Sequence, residues 1–335
     1  MSQVRSLGPP GGPAPDSGDP SFLDPFLAVA PAHAAEQARY ITDMVERGAM
    51  RPAWCFVAEV DGRVVGRYGF WTLPTIDHPE AIVLLDVVGA GIARDAVAGE
   101  LLAHALAGAR EAGSSTLGLV LDEPPQWPQW QTELEARARW LESAGFGMRR
   151  ATARFELPQG DIPSREGPPG PPATGSADPR TRLWFRDYVT VGERAFLDAI
   201  ERVSAGSLDR YTRDERERLG PEAEARQTLD ELGSMEFDPS WWELAFDADG
   251  RLVGLVMPAL APTFATIGYI GIVPEQRGHG YVNDLLARGT STLRRDAEGQ
   301  VIRADTDVDN APMADAFERA GYRRFATRRE FEIRL

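Results

Sequence analysis

The 335-residue sequence predicts a mixed α/β protein made of two similar sheet domains in tandem. Three observations carry that expectation. Two β-rich hairpin patterns turn at Asp61-Gly62 and at Asp249-Gly250, the dipeptide that favours tight hairpin turns. Later strands in each half are separated by helical patterns rather than by tight turns. The same landmarks recur along the chain: Trp54, Asp61-Gly62-Arg63 and Val65-Gly66 match Trp242, Asp249-Gly250-Arg251 and Val253-Gly254 at one spacing. Gly145, Phe155 and Glu156 match Gly321, Phe331 and Glu332 at a slightly shorter one, which indicates an internal duplication with a small length difference.

Residues 1–20 are rich in Pro, Gly, Ser and Asp and read as a disordered tail. The first copy is expected over 21–157. Its elements are a helix at 34–46, a hairpin at 54–71, a strand at 82–88, a helix at 96–112, a strand at 116–121, a helix at 131–144 capped by Gly145, and a closing strand at 146–157. Residues 158–180 hold many Pro and Gly and read as an extended linker. The second copy, 181–335, repeats the order. A strand at 183–189 leads into charged helix over 193–234, then a hairpin at 242–258, a strand at 266–273 and a helix to about 295. A strand at 300–304, a helix opened by Pro312 and capped by Gly321, and an alternating last strand through Phe325, Thr327, Phe331 and Ile333 complete it.

Composition bounds the function. Hydrophobic content of 43% is that of a globular protein, and a net charge of −15 does not favour nucleic acid. The single cysteine, Cys55, lies in an apolar run and reads as a buried thiol; one cysteine excludes a disulfide framework. His33, His78 and His104 show no paired metal spacing, so no metal is expected. No apolar run of about 18 residues exists, and no signal-like leader opens the chain. A cytoplasmic protein without a membrane partner is expected, as a monomer or homodimer.

The stretch that carries chemistry follows the strand ending at Pro274. Arg277, Gly278, His279, Gly280, Tyr281 and Val282 form a short loop, and Val282, Leu285, Leu286 and Leu293 then take helical spacing. A helix start carries unpaired N–H groups and a positive dipole end, and glycines allow close backbone approach, so this is an anion cradle. The third glycine of a dinucleotide fingerprint would fall at Asn283, and no Walker lysine is present.

The remaining pattern, with Arg277 and Gly280, resembles the Arg/Gln-x-x-Gly-x-Gly/Ala pyrophosphate loop of the GNAT (Gcn5-related N-acetyltransferase) superfamily, Val282 being a departure at the last position. The element order of each copy is also similar to that family, in its tandem form. The resemblance implies two GNAT-like domains, each a mostly antiparallel mixed sheet flanked by helices. It implies that acetyl-CoA binds in the second copy. Backbone groups of Ile270, Ile272 and Val273 would meet the pantetheine arm, and residues 277–282 would wrap the pyrophosphate. Asn310, in a position where the family contacts pantetheine, is equally a residue of the helix start before Pro312. Phe317 stands near the cofactor where the family often has a tyrosine acid. Tyr281 and Tyr269 are the substitutes at hand. Asp305, Asp307 and Asp309 cluster after a strand, as a candidate general base or as a solvated turn. In the first copy the matching loop, 89–95, lacks the Arg-x-x-Gly pattern and carries Asp95, so weak or no cofactor binding is expected there.

The implied activity is transfer of an acetyl group from acetyl-CoA to a small amine. The alternatives are O-acylation or acyl-CoA decarboxylation at the same site, or a non-catalytic acyl-CoA-binding scaffold.

Overall fold

Both Asp-Gly hairpins are present in the computed structural model, and each lies in its own compact unit. The structure describes residues 3–8, 20–158, 182–261, 263–297 and 299–335. Most of the expected tail and all of the expected linker except residue 158 lie outside the described residues.

In chain order the first elements are β1 (Gln3–Ser6), α1 (Asp24–Leu27), α2 (Ala34–Glu46), β2 (Cys55–Val60), β3 (Arg63–Trp71), β4 (Ala81–Val87), α3 (Gly91–Glu111), β5 (Thr116–Glu123), α4 (Leu134–Ser143) and β6 (Gly147–Leu157). Then follow β7 (Trp184–Asp187), α5 (Tyr188–Ser204), α6 (Arg210–Leu219), α7 (Pro221–Gly233), β8 (Glu243–Phe246), β9 (Leu252–Ala261), β10 (Phe264–Ile272), α8 (Tyr281–Asp296), β11 (Ile302–Asp307), α9 (Ala311–Arg319) and β12 (Arg323–Arg334).

Unit 1 comprises residues 1–151 and 326–335, and unit 2 residues 152–325. The sheet of unit 1 runs β1-β2-β3-β4-β5-β12, antiparallel except for β4 and β5. That of unit 2 runs β6-β11-β10-β9-β8-β7, antiparallel except for β10 and β11. Each is a mixed sheet flanked by helices.

Three features depart from the sequence expectation. Gln3–Ser6, inside the expected tail, pairs with β2, and Arg5 forms an ion pair with Glu59. Four alternating residues are too short a pattern to stand out from a Pro/Gly-rich background. Secondly, residues 152–157, read as the end of the first copy, pair with β11, from Leu157 opposite Ile302 to Thr152 opposite Asp307. Residues 327–334, read as the end of the second copy, pair with β5. Both strands carry the same alternation, and alternation fixes which face is buried but not which neighbour is chosen. Thirdly, the charged helical stretch is three helices, interrupted at Gly206 (φ +61°) and Gly220 (φ +85°), conformations that favour glycine.

The duplication extends to cap geometry. After α4, Gly145 N–H donates to Glu142 O and Phe146 N–H to Leu141 O; after α9, Gly321 donates to Glu318 O and Tyr322 to Phe317 O, each at 3.0 Å. Gly145 and Gly321 both have positive φ, as this helix ending requires. In unit 2, Leu285, Leu286 and Leu293 of α8 are buried as their spacing predicts, against a core that includes Phe196, Trp242, Leu255 and Met257.

Candidate active site

The site in unit 2 begins where its two parallel strands part. β10 and β11 pair only at Ala265 with Ile302 and at Thr266 with Arg303. Beyond these, the β11-facing edge of β10 has no strand partner among the described residues. The register of β10 against β9 shifts between Ile267 and Tyr269, a bulge centred on Gly268. A Cβ on Gly268 would lie 2.8 Å from Leu232 Cδ2 and 3.1 Å from Met257 O, so the bulge requires glycine. Past it, Ile270, Gly271 and Ile272 are only half-buried, as residues lining a cleft are.

Val273, whose N–H donates to Val253 O at 2.9 Å, closes the strand. The chain then turns through Pro274–Gln276 and reaches α8 by way of Gly278 (φ +81°) and Gly280 (φ +78°). Among the described residues, the N–H groups of Gly278, His279, Gly280, Tyr281 and Val282 make no hydrogen bond. They cluster at the positive end of α8, a helix of 16 residues. Such a run of exposed donors fits a pyrophosphate. Val282 is half-buried and leaves its own N–H in the unpaired set.

Side chains that the sequence reading missed surround this loop. Arg182 donates to His279 O (3.2 Å) and to Asp284 Oδ2 (2.7 Å), and its guanidinium carbon lies 5.1 Å over the Tyr281 ring. Arg319 approaches Asn283 Oδ1 at 3.4 Å, and Asn283 Nδ2 donates to Gly280 O at 2.9 Å. Arg182 precedes the loop by 97 residues, so no local pattern could reveal it. His279 donates from Nδ1 to Gln276 O (3.2 Å) and stacks on Tyr281.

The structure gives other predicted residues different work. Arg277 points its guanidinium at backbone carbonyls: Ile272 O (3.1 Å), Gly206 O (3.0 Å), Val203 O (2.9 Å) and Ala205 O (2.7 Å). Asp307 is 2% exposed, and its two oxygens accept the N–H groups of Arg210 (3.0 Å) and Asp309 (2.9 Å). A carboxylate so engaged caps the backbone at both of these positions. Phe317 is 1% exposed and packs on Phe155 and Tyr322. Tyr322 bonds to Thr290 and is pushed by burial to a pKa of about 12. Asp305 is exposed and pairs with Arg154 at 3.4 Å. Asn310 occupies the N-cap position of α9 without a side-chain capping bond. Burial, with Glu224 and Asp209 adding to it, raises the Tyr269 phenol well above its usual range.

Unit 1 has the same split with different contents. β4 and β5 pair only at Ala81 and Gly118. The bulge on β4 falls at Leu84, at φ +55°. Here the segment after β5 reaches back. Gln129 Oε1 accepts the Leu84 N–H at 2.8 Å, and Arg137 donates to Leu85 O. Arg137 and Arg67, 7% and 0% exposed, each approach Asp86 at 2.7 Å. Arg67 also donates to Phe26 O (2.9 Å) and Gln37 Oε1 (2.7 Å). The gap is bridged by the chain's own polar groups. Asp95 accepts a hydrogen bond from Trp140 Nε1 at 2.7 Å.

Residues 208–322, which span the split and loop of unit 2, match the Acetyltransferase (GNAT) family profile. That stretch is a GNAT domain. The crystal structure of a GCN5-related N-acetyltransferase from Sphaerobacter thermophilus superposes with a TM-score of 0.57 over 96% of this chain and 97% of that one; at 15% identity this shows a shared fold. Among curated relatives, a mycothiol acetyltransferase of Clavibacter michiganensis subsp. michiganensis is 29% identical over 139 residues, 41% of this chain and 39% of that protein. One of Pseudarthrobacter chlorophenolicus is 32% identical over 95 residues, 27% of this chain and 29% of that protein. The matches thus span at most about two fifths of the length of these relatives. Among the described residues no helix is long and apolar enough to cross a membrane.

Proposed function

We propose that the chain is an acetyl-CoA-dependent N-acetyltransferase acting on a small amine, with the cofactor held by unit 2. The observation that carries this reading is the continuity of two unsatisfied surfaces. The open edge of β10 runs directly into the unpaired donors at 278–282. One surface suits an extended amide-bearing arm and the other a pyrophosphate.

In this reading the backbone of residues 278–282 binds the diphosphate, while Arg182 and Arg319 add positive charge beside it. Ile270, Ile272 and Val273 offer main-chain groups to the arm, and Asn310 offers its uncapped amide. Bound acetyl-CoA supplies a thioester carbonyl open to attack by an amine. The amine must reach the site neutral, and Asp305, an exposed carboxylate on β11, is the group that takes its proton. Tyr281, at the first position of α8, gives a proton to the departing thiolate. The chain's charge of −15 suits a cationic acceptor.

The test is thiol release from acetyl-CoA across a panel of amines, alcohols and no acceptor, with product masses. Release that requires an amine and adds an acetyl mass to it is the expected result. Release without any acceptor, or with alcohols only, contradicts the proposal. Asp305→Asn is expected to lower the rate at neutral pH and to move the activity profile to higher pH, because the free-amine fraction must then come from solution.

A further inference from the structure

The guanidinium of Arg277 spends its donors on four neutral backbone oxygens, none of them in the cradle loop itself. Three of the four belong to residues 203–206, where α5 ends. Helix-terminal carbonyls carry the negative end of the dipole, so a guanidinium there both caps the helix and ties it down. Gly206 turns at φ +61°, and a Cβ placed on it would lie 3.4 Å from Arg277 Nη1, so this turn is packed against the arginine. A few residues further on, Asp307 accepts the Arg210 N–H at 3.0 Å. Residues 203–210 are therefore fastened at one end to the segment following β10 and at the other to the end of β11. Those are the two strands that part. The segment bridges the open end of the split.

We infer that Arg277 is a positioning residue that couples anion docking at 278–282 to the order of the bridging segment 203–210. Its backbone belongs to the loop, and its side chain belongs to the bridge. Fixing the loop around a ligand fixes the root of the arginine, and three of its bonds then hold residues 203–206 in one place. The inference rests on the cofactor reading of unit 2 and extends it to the segment that flanks the reacting end.

Hydrogen exchange on the full chain, with coenzyme A as the probe, tests it. In the wild type, coenzyme A is expected to slow exchange in both 276–284 and 203–211, the latter by roughly tenfold, an ordinary size for coupling between sites. In Arg277→Met the loop is still protected, but 203–211 no longer responds. Arg277→Lys restores part of the response, because an ammonium satisfies some of the same carbonyls. Asp307→Asn, which loosens the other end, speeds exchange of 203–211 without ligand and keeps the coenzyme A affinity. Protection of 203–211 that survives in Arg277→Met overturns the inference. So does complete loss of coenzyme A binding in that variant, which would make the guanidinium a ligand. Loop-only protection in the wild type overturns the coupling alone, whereas a wild type in which neither segment responds overturns the cofactor reading and the coupling with it.

Discussion

The splits of the two units start from the same design and end differently. In each, two parallel strands pair briefly, a bulge follows, and a glycine-bearing loop leads into a helix. In unit 2 the bulge is Gly268, the strand edge is open and the loop donors are unpaired. In unit 1 the bulge is Leu84, and Gln129 and Arg137 occupy the equivalent backbone groups. A backbone group exposed by parting strands must be satisfied by water, ligand or protein. Unit 2 keeps its loop donors unpaired among the described residues, and unit 1 uses its own side chains. A cleft can thus lose a ligand in two ways, by losing the contacts that bind it and by acquiring internal ones that replace it. Unit 1 has the internal contacts of the second way, through Gln129 and Arg137.

The contrast can be broken by substitution, and the largest expected effect is in unit 1. Asp86→Ala would strand Arg67 and Arg137 without a carboxylate, and breaking a buried pair in this way costs about 3–5 kcal/mol. Urea unfolding should show a loss of that size; a loss under about 1 kcal/mol would mean that the network does not hold the split closed. Next comes the cradle. Gly280→Val puts a branched side chain at φ +78°, a conformation that costs about 1–2 kcal/mol. Coenzyme A affinity should fall roughly tenfold or more, as about 1.4 kcal/mol corresponds to a factor of ten. Unchanged affinity would place the ligand elsewhere. Smaller again is Arg182→Glu, an exposed charge near a polyanion, expected to weaken coenzyme A several-fold at low salt and much less at high salt. An effect independent of salt would point to a direct bond rather than a field.

The smallest effects are in pH dependence, and they have opposite signs. In unit 1, burial lowers the His104 pKa below its usual value, so its contribution is present above about pH 6.5 and is lost as pH falls through the lower folded value. In unit 2, burial raises the Glu224 pKa, with the Ser204 and Thr228 bonds partly opposing, so stability is lost as pH rises from about 4.3 through the folded value. His104→Gln should flatten the acid side of the stability profile and Glu224→Gln the rise-dependent loss. Variants that leave the wild-type slopes in place would show that these groups do not set them.

What the sequence made legible was local. The Asp-Gly hairpins, the glycine caps after α4 and α9, and the loop at 277–282 each depend on residues within one or two turns of one another. The absence of the Arg-x-x-Gly pattern at 89–95 was also legible. The means by which that cleft is closed was not, because Gln129, Arg137 and Arg67 meet Asp86 and the β4 backbone only through the fold. Arg182 and the exchange of strands at 152–157 and 326–335 are hidden for the same reason. Arg277 was found by its motif, but its motif suggests an anion, and only the carbonyls around it show the tie to α5.

Calorimetric titration of the full chain with coenzyme A tests the central claim most directly, using paired loop substitutions at Gly280 in unit 2 and Ala90 in unit 1. One equivalent bound, lost in Gly280→Glu and retained in Ala90→Glu, is the predicted result. Two equivalents, or one that survives Gly280→Glu and disappears in Ala90→Glu, would contradict it.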